Sequence, residues 1–294
     1  MKLVVEKISK RYRSDRWGLR EMSVEFTTGV IGLLGPNGAG KSTLMRILAT
    51  VTKPTGGRVL WNNVDTAREP EALRAELGYL PQDFGIYPHL SALEFLDYMA
   101  AAKGLSRASA RKRIAALLEL LNLTDAARRH LGTYSGGMRQ RVGIAVALLN
   151  DPRVLIMDEP SVGLDPEERV GLRNLLSDLS ADRLIILSTH VVSDVEAIAR
   201  ELVIIADGKL VLKGTPEELL RRAAGKVWKW TVPIADLPAL RQRYLVASAI
   251  RSLEGVRVRV IAAEQPFAGA EAVEPSLEDA YLHFASGNGQ VASA

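Results

Sequence analysis

The stretch Gly35-Pro36-Asn37-Gly38-Ala39-Gly40-Lys41-Ser42-Thr43 constrains this chain more than any other. It has the spacing G-x-x-x-x-G-K-[ST]. Val30-Ile31-Gly32-Leu33-Leu34 ahead of it is a short apolar run with the length of a buried strand, and Ser42 to Ala49 behind it has helical character. The order has a chemical use. Its three glycines allow a sharp turn that brings backbone N–H groups up to phosphate oxygens, where a Cβ would obstruct. The following helix aims free N–H donors and the positive end of its dipole at the same anion. Lys41 is expected to reach the β- and γ-phosphates of a nucleotide, and Ser42 to present its hydroxyl to Mg²⁺.

Composition removes other classes. The 38 Lys and Arg nearly balance 34 Asp and Glu, for a formal charge of +4, too even to argue for nucleic acid. There is no cysteine, which excludes disulfides, zinc-thiolate sites and thiol catalysis. Lys2 brings charge in too early for a signal-peptide core. No apolar run approaches the ~20 residues that span a bilayer. The expectation is a cytoplasmic protein whose membrane role comes through a partner.

Along the chain, Leu3 to Ile8 and Met22 to Phe26 read as strands of an antiparallel layer. Pro54 to Gly57 is a turn, Arg58 to Trp61 a strand and Glu71 to Leu77 a short helix. Residues 91–150 are helical: Ser91 and Glu94 form a capping box, Arg107 to Leu121 is amphipathic, and Gly136 to Asn150 is a third helix. Then strands (153–157, 184–187) alternate with helices (166–180, 191–200), and Asp207-Gly208 turns a hairpin. Continuous apolar strands between helices indicate a parallel sheet covered on both faces. Thr215-Pro216-Glu217-Glu218 starts a closing helix. From about residue 225, strands at 226–232 and 256–261 and helices at 236–244 and 276–284 read as a small α+β appendage, with the tail Gly287 to Ala294 expected to fray. The domains expected are 1–224 and 225–294.

Val154 to Met157 is an apolar strand ending in Asp158-Glu159. A buried strand holds Asp158 at its carboxyl end, where α/β folds bind ligands. Asp158 is expected to hold Mg²⁺, and Glu159 to orient or deprotonate an attacking water. Between the two motifs, Tyr134-Ser135-Gly136-Gly137-Met138 leads into a helix, a second terminus suited to an anion.

Together these residues resemble the ATP-binding cassette (ABC) ATPases over about residues 3–222. Gln82 matches the family's Q-loop, Ser135-Gly136-Gly137 its signature, Ser161 to Asp165 its D-loop and His190 its H-loop. Tyr134 and Met138 depart from the usual outer signature residues, while the serine hydroxyl and glycine N–H groups remain. The resemblance implies a P-loop NTPase core: a parallel sheet, an antiparallel β layer and a helical subdomain at about 91–150. It implies ATP and Mg²⁺ as ligands, with Ser42, Gln82 and Asp158 toward the metal. Glu159, His190 and Lys41 become the catalytic residues, His190 through a γ-phosphate contact. Tyr12 matches the aromatic that stacks on adenine, with Trp17 as its rival. Two cassettes, from a second copy or a related chain, are expected to pair head to tail, ATP on one P-loop being capped by Ser135-Gly136-Gly137 of the other. Asp165 serves as a helix cap, as a communicating residue across that dimer, or as both.

About 115 residues separate Lys41 from Asp158, with no room for a long coiled coil and no cysteines for zinc modules. A single cassette of this kind resembles the motor subunit of a membrane transporter more than a ribosome- or DNA-acting cassette. Glu274 to Tyr281 looks like the closing motif of bacterial drug and antibiotic exporters, and the appendage is short for the regulatory barrel of sugar importers. Export is the reading and import the alternative. The implied partner is a separate integral-membrane permease at the inner face of the cell membrane, with no nucleic acid. Asp83 to Leu90 is either its docking groove or a loop tucked into its own domain.

Overall fold

The computed structural model describes residues 1–13 and 15–286. The tail expected to fray lies outside the described residues. Strands β1 (Lys2–Arg11) and β2 (Trp17–Thr27) form an antiparallel ribbon that buries Leu3, Val5, Ile8, Leu19, Met22 and Phe26 along one side. Two bulges bend it. At Lys7 and Glu21 φ is positive, and the freed N–H groups donate to Ser23 Oγ and Ser9 Oγ, both at 2.9 Å. Next come β3 (Gly29–Leu34), every residue of it buried, and α1 (Lys41–Leu48). Strands β4 (Gly56–Trp61) and β5 (Val64–Asp65) complete an antiparallel sheet of order β2-β1-β4-β5.

Helix α2 (Pro70–Arg74) is shorter than the sequence pattern indicates, because Leu77 already belongs to β6 (Leu77–Leu80). The helical block follows: α3 (Ala92–Ala102), α4 (Arg107–Leu120) and α5 (Gly136–Leu148). Ser91 and Glu94 form the expected capping box on α3. Then come β7 (Val154–Asp158), α6 (Pro166–Leu179), β8 (Leu184–Ser188), α7 (Val192–Glu196), β9 (Glu201–Ala206), β10 (Lys209–Gly214) and α8 (Pro216–Ala223). The helix expected over 191–200 is cut to little more than a turn. By Arg200 the backbone N–H already donates to Val30 O at 2.8 Å, as the chain aligns beside β3.

The central sheet has the order β10-β9-β3-β8-β7-β6, parallel except for the β9–β10 hairpin. Its strands are buried on both faces, as continuous apolar runs require. Ile31, Leu33, Ile156 and Ile186 face α1 and the antiparallel sheet. Val30, Leu34, Leu155, Met157 and Ile185 face the helical block and the carboxyl-terminal helices. This is the P-loop NTPase architecture, with the antiparallel layer and helical subdomain expected from the motifs.

Beyond α8 lie β11 (Val227–Val232), α9 (Leu237–Arg243), β12 (Leu245–Ser252), β13 (Gly255–Ile261), β14 (Glu271–Ala272) and α10 (Leu277–Ala285). They form a second antiparallel sheet, β12-β13-β11-β14, with α9 covering Val232, Val256, Val258 and Val260. The pattern missed β12, whose Ala247, Ser248 and Ala249 are small and weakly strand-forming. Helix α10 returns to the cassette. Its Leu277, Ala280 and Phe284 join one core with Val195 of α7 and Leu219 and Ala223 of α8.

Candidate functional site

The loop 35–43 leaves β3 and enters α1 with no room to spare. A Cβ on Gly35 would lie 2.3 Å from Ile205 O, and one on Gly40, where φ is +108°, would lie 2.4 Å from Gly18 O. Only glycine fits either place. Helix α1 has no side-chain cap, so its first N–H groups remain available to an anion. Lys41 is 7% exposed, and its Nζ donates to Gly35 O at 2.6 Å and Pro36 O at 3.2 Å. Burial pushes its pKa below the ordinary lysine value, against the opposing pull of Glu159 and Asp158. Those bonds hold the ammonium among the loop's own carbonyls.

Register places the acids. Asp158 stands opposite Ser188 across β7 and β8, is 2% exposed, and accepts a hydrogen bond from Ser188 Oγ. Glu159 follows with a φ of 55°, uncommon for a residue with a Cβ. Its N–H donates to Ser188 O (3.1 Å) and Oγ (3.0 Å). The left-handed turn brings the Glu159 side chain into the cleft and leaves Asp158 behind it. Glu159 Oε2 and His190 Nδ1 are 2.5 Å apart. A cleft of about 660 Å³ gathers Tyr12, Asn37, Gly38, Gly40, Lys41, Ser42, Thr43, Gln82 and Glu159. Tyr12 Oη lies 3.1 Å from Thr43 Oγ1, tying the expected base-stacking ring to the start of α1.

Residues 19–162 match the family model described as ABC transporter. The chain is 36% identical over 245 residues to the doxorubicin resistance ATP-binding protein DrrA of Mycobacterium tuberculosis, covering 82% of this chain and 74% of that protein. The chain belongs to the ABC transporter ATP-binding proteins. It is 34% identical over 275 residues to the probable multidrug ABC transporter ATP-binding protein YbhF of Escherichia coli, and spans about half (47%) of that relative's length. A solved ATP-binding subunit of an ABC transporter superposes with a TM-score of 0.69 at 31% identity, over 76% of this chain and 93% of that one. The dimeric post-hydrolysis cassette MJ0796, bound to ADP and Pi, gives 0.67 at 26% identity, over 72% and 98%. As a member of this family the chain carries an ATP-binding cassette.

The cassette's signature residues do not line the P-loop cleft. Ser135 caps α5 by accepting from Met138 N at 3.1 Å. Gly137 lies against α6, where an added Cβ would come within 2.4 Å of the Glu168 carboxylate. Glu168 pairs with Arg141 at 2.8 Å and closes a capping box with Asp165. Asp165 is therefore a helix cap.

Three features of the site escape sequence reasoning. Arg16 and Gly18 line the cleft beside Tyr12 and Trp17. Ser188 holds both Asp158 and Glu159, a role visible only through strand register. Asp194, 5% exposed on α7, accepts from Ser161 Oγ at 2.5 Å and ties the D-loop to the segment after His190. Among the described residues, no helix is long and apolar enough to cross a membrane.

Proposed function

We propose that this cassette binds Mg·ATP in the Lys41–Glu159 cleft and hydrolyses it to drive export by a separate membrane subunit. The observation that carries the reading is the Glu159 carboxylate, turned into a cleft shared with the uncapped start of α1 and buried Lys41. The backbone N–H groups of 35–43 and the Lys41 ammonium take the phosphates. Glu159 takes a proton from the attacking water, and His190 orients that carboxylate through Nδ1. Ser42, Gln82 and Asp158 supply hydroxyl, amide and carboxylate oxygens, the hard donors Mg²⁺ prefers. Bound Mg²⁺ supplies charge neutralisation on the phosphates.

The separation of Ser135-Gly136-Gly137 from the cleft supports a head-to-tail pair in which each cassette caps the other's ATP. The dimeric MJ0796 cassette is a precedent. Export is supported by the names of the relatives, multidrug and doxorubicin resistance among them. In the loop after Gln82, Phe84, Ile86 and Leu90 pack inward while Tyr87 (47% exposed) stacks edge-on with Tyr98 (53%). That exposed aromatic pair is the proposed contact for the membrane subunit, placing the cassette at the inner membrane face. We also propose the division near residue 225. Co-expression with a hydrophobic membrane protein from a neighbouring reading frame, followed by reconstitution, tests the whole: ATP-driven efflux supports export, and failure to associate refutes the partnership.

A further inference from the structure

The turn joining β1 to β2 is rich in arginine, and its arginines are not equivalent. Arg11 and Arg20 lie over the Trp17 ring, 5.5 and 6.0 Å from its centroid. Arg11 also pairs with Asp15, the nearest carboxylate in sequence to Arg16. Arg16 does neither. Among the described residues its guanidinium has no ion-pair partner. It lines the cleft instead, with Nη2 3.8 Å from where a Cβ on Gly38 would stand. Its carbonyl accepts from Tyr12 N at 2.9 Å, so the arginine and the expected base-stacking ring belong to one closed turn. Lys41 is the only other cation lining the cleft among the described residues, and it is engaged by the Gly35 and Pro36 carbonyls.

We propose that Arg16 binds the phosphate chain of the nucleotide, reaching it over Gly38. The proposal rests on the reading of this cleft as the nucleotide site. A planar guanidinium matches two phosphate oxygens at once. Its place beside the P-loop glycine sets it at the level of the phosphates, whereas the Tyr12 hydroxyl lies against Thr43. Since Arg16 has no protein partner to give up, its pairing with phosphate breaks no existing ion pair. Arg16 discriminates by phosphate number, a task the aromatic ring cannot perform.

The test titrates the full chain with adenosine, AMP, ADP and ATP. Arg16→Gln is expected to weaken ADP and ATP roughly tenfold, the worth of a charge-assisted contact, and to leave adenosine unchanged. Arg16→Lys retains part of the affinity. Arg68→Gln, which removes the same charge at a side chain 85% exposed and away from the cleft, is expected to bind like wild type. Unchanged ADP and ATP affinity in Arg16→Gln overturns the proposal. So does an equal loss for adenosine, or an equal loss in Arg68→Gln. Lys41→Ala separates the two readings: if it also binds ATP normally, the cleft assignment fails, whereas loss there with none in Arg16→Gln removes Arg16 alone.

Discussion

His190 Nδ1 and Glu159 Oε2 meet at 2.5 Å, each just beyond the end of a neighbouring parallel strand. Glu159 is almost fully withdrawn from solvent (side chain 8% exposed), while His190 stays 57% exposed. The carboxylate is held at the cleft by a ring that remains open to solvent and to a partner. A buried carboxylate beside an accessible ring organises the expected behaviour of the proposed site.

Glu159→Gln keeps the shape and one hydrogen-bonding oxygen but removes the base. Turnover is expected to fall ~10²–10⁴-fold, the range for a general base, with ATP affinity retained. With hydrolysis blocked, the variant dimerises on ATP, and adding Ser135→Arg abolishes that dimer. Light scattering after size exclusion reads both. A dimer that persists in the double variant refutes the head-to-tail pair, and wild-type turnover in Glu159→Gln refutes the catalytic role.

If His190 acts by holding Glu159, its loss is not additive with loss of the carboxylate. His190→Ala alone is expected to slow turnover at least about tenfold. In the Glu159→Gln background it should cost almost nothing more. Single-turnover rates of the four proteins close the cycle. Full additivity would assign His190 a role independent of Glu159.

Phe284 is 3% exposed in the core shared by α10, α7 and α8. Phe284→Ala is expected to destabilise the protein by about 3–5 kcal/mol, as large-to-small core changes do. A chain ending at Ala224 keeps every residue of the cleft and is expected to bind ATP, but to melt at a lower temperature because Val195, Leu219 and Ala223 lose α10. Denaturant melts and an ATP titration report the two effects separately. Well-folded truncated protein without ATP affinity would count against the proposed division.

His283 on α10 is 1% exposed, with Nε2 3.3 Å from Lys226 Nζ and Nδ1 unpartnered. Burial, and then the Lys226 charge, lower its pKa from 6.5. The sign follows: the unfolded chain takes up a proton first, so stability is full above about 6.5 and falls as pH drops through the lowered folded value. The slope from this group is at most about 1.4 kcal/mol per pH unit. Melting of wild type and His283→Leu between pH 7.5 and 5 should show the flatter curve in the variant. Parallel curves would remove His283 as the source.

Much of this protein is legible in its sequence because the patterns are local. The glycines, Lys41 and Ser42 specify a tight turn and an uncapped helix start within nine residues, since neither needs a distant partner. The apolar run into Asp158-Glu159 specifies a buried strand ending in acids for the same reason. Capping boxes at Ser91 and Thr215 marked helix starts correctly, each being closed within one turn. What the tertiary structure alone decided lies between segments far apart in the chain. Placing β8 beside β7 sets Ser188 against Asp158 and Glu159, and brings the His190 ring to the Glu159 carboxylate. Bending the β1–β2 ribbon over α1 brings Arg16 into the cleft. The return of α10 to α7 and α8 joins the appendage's last helix to the cassette core. These are matters of strand register and packing between remote residues, which no local pattern of side chains encodes.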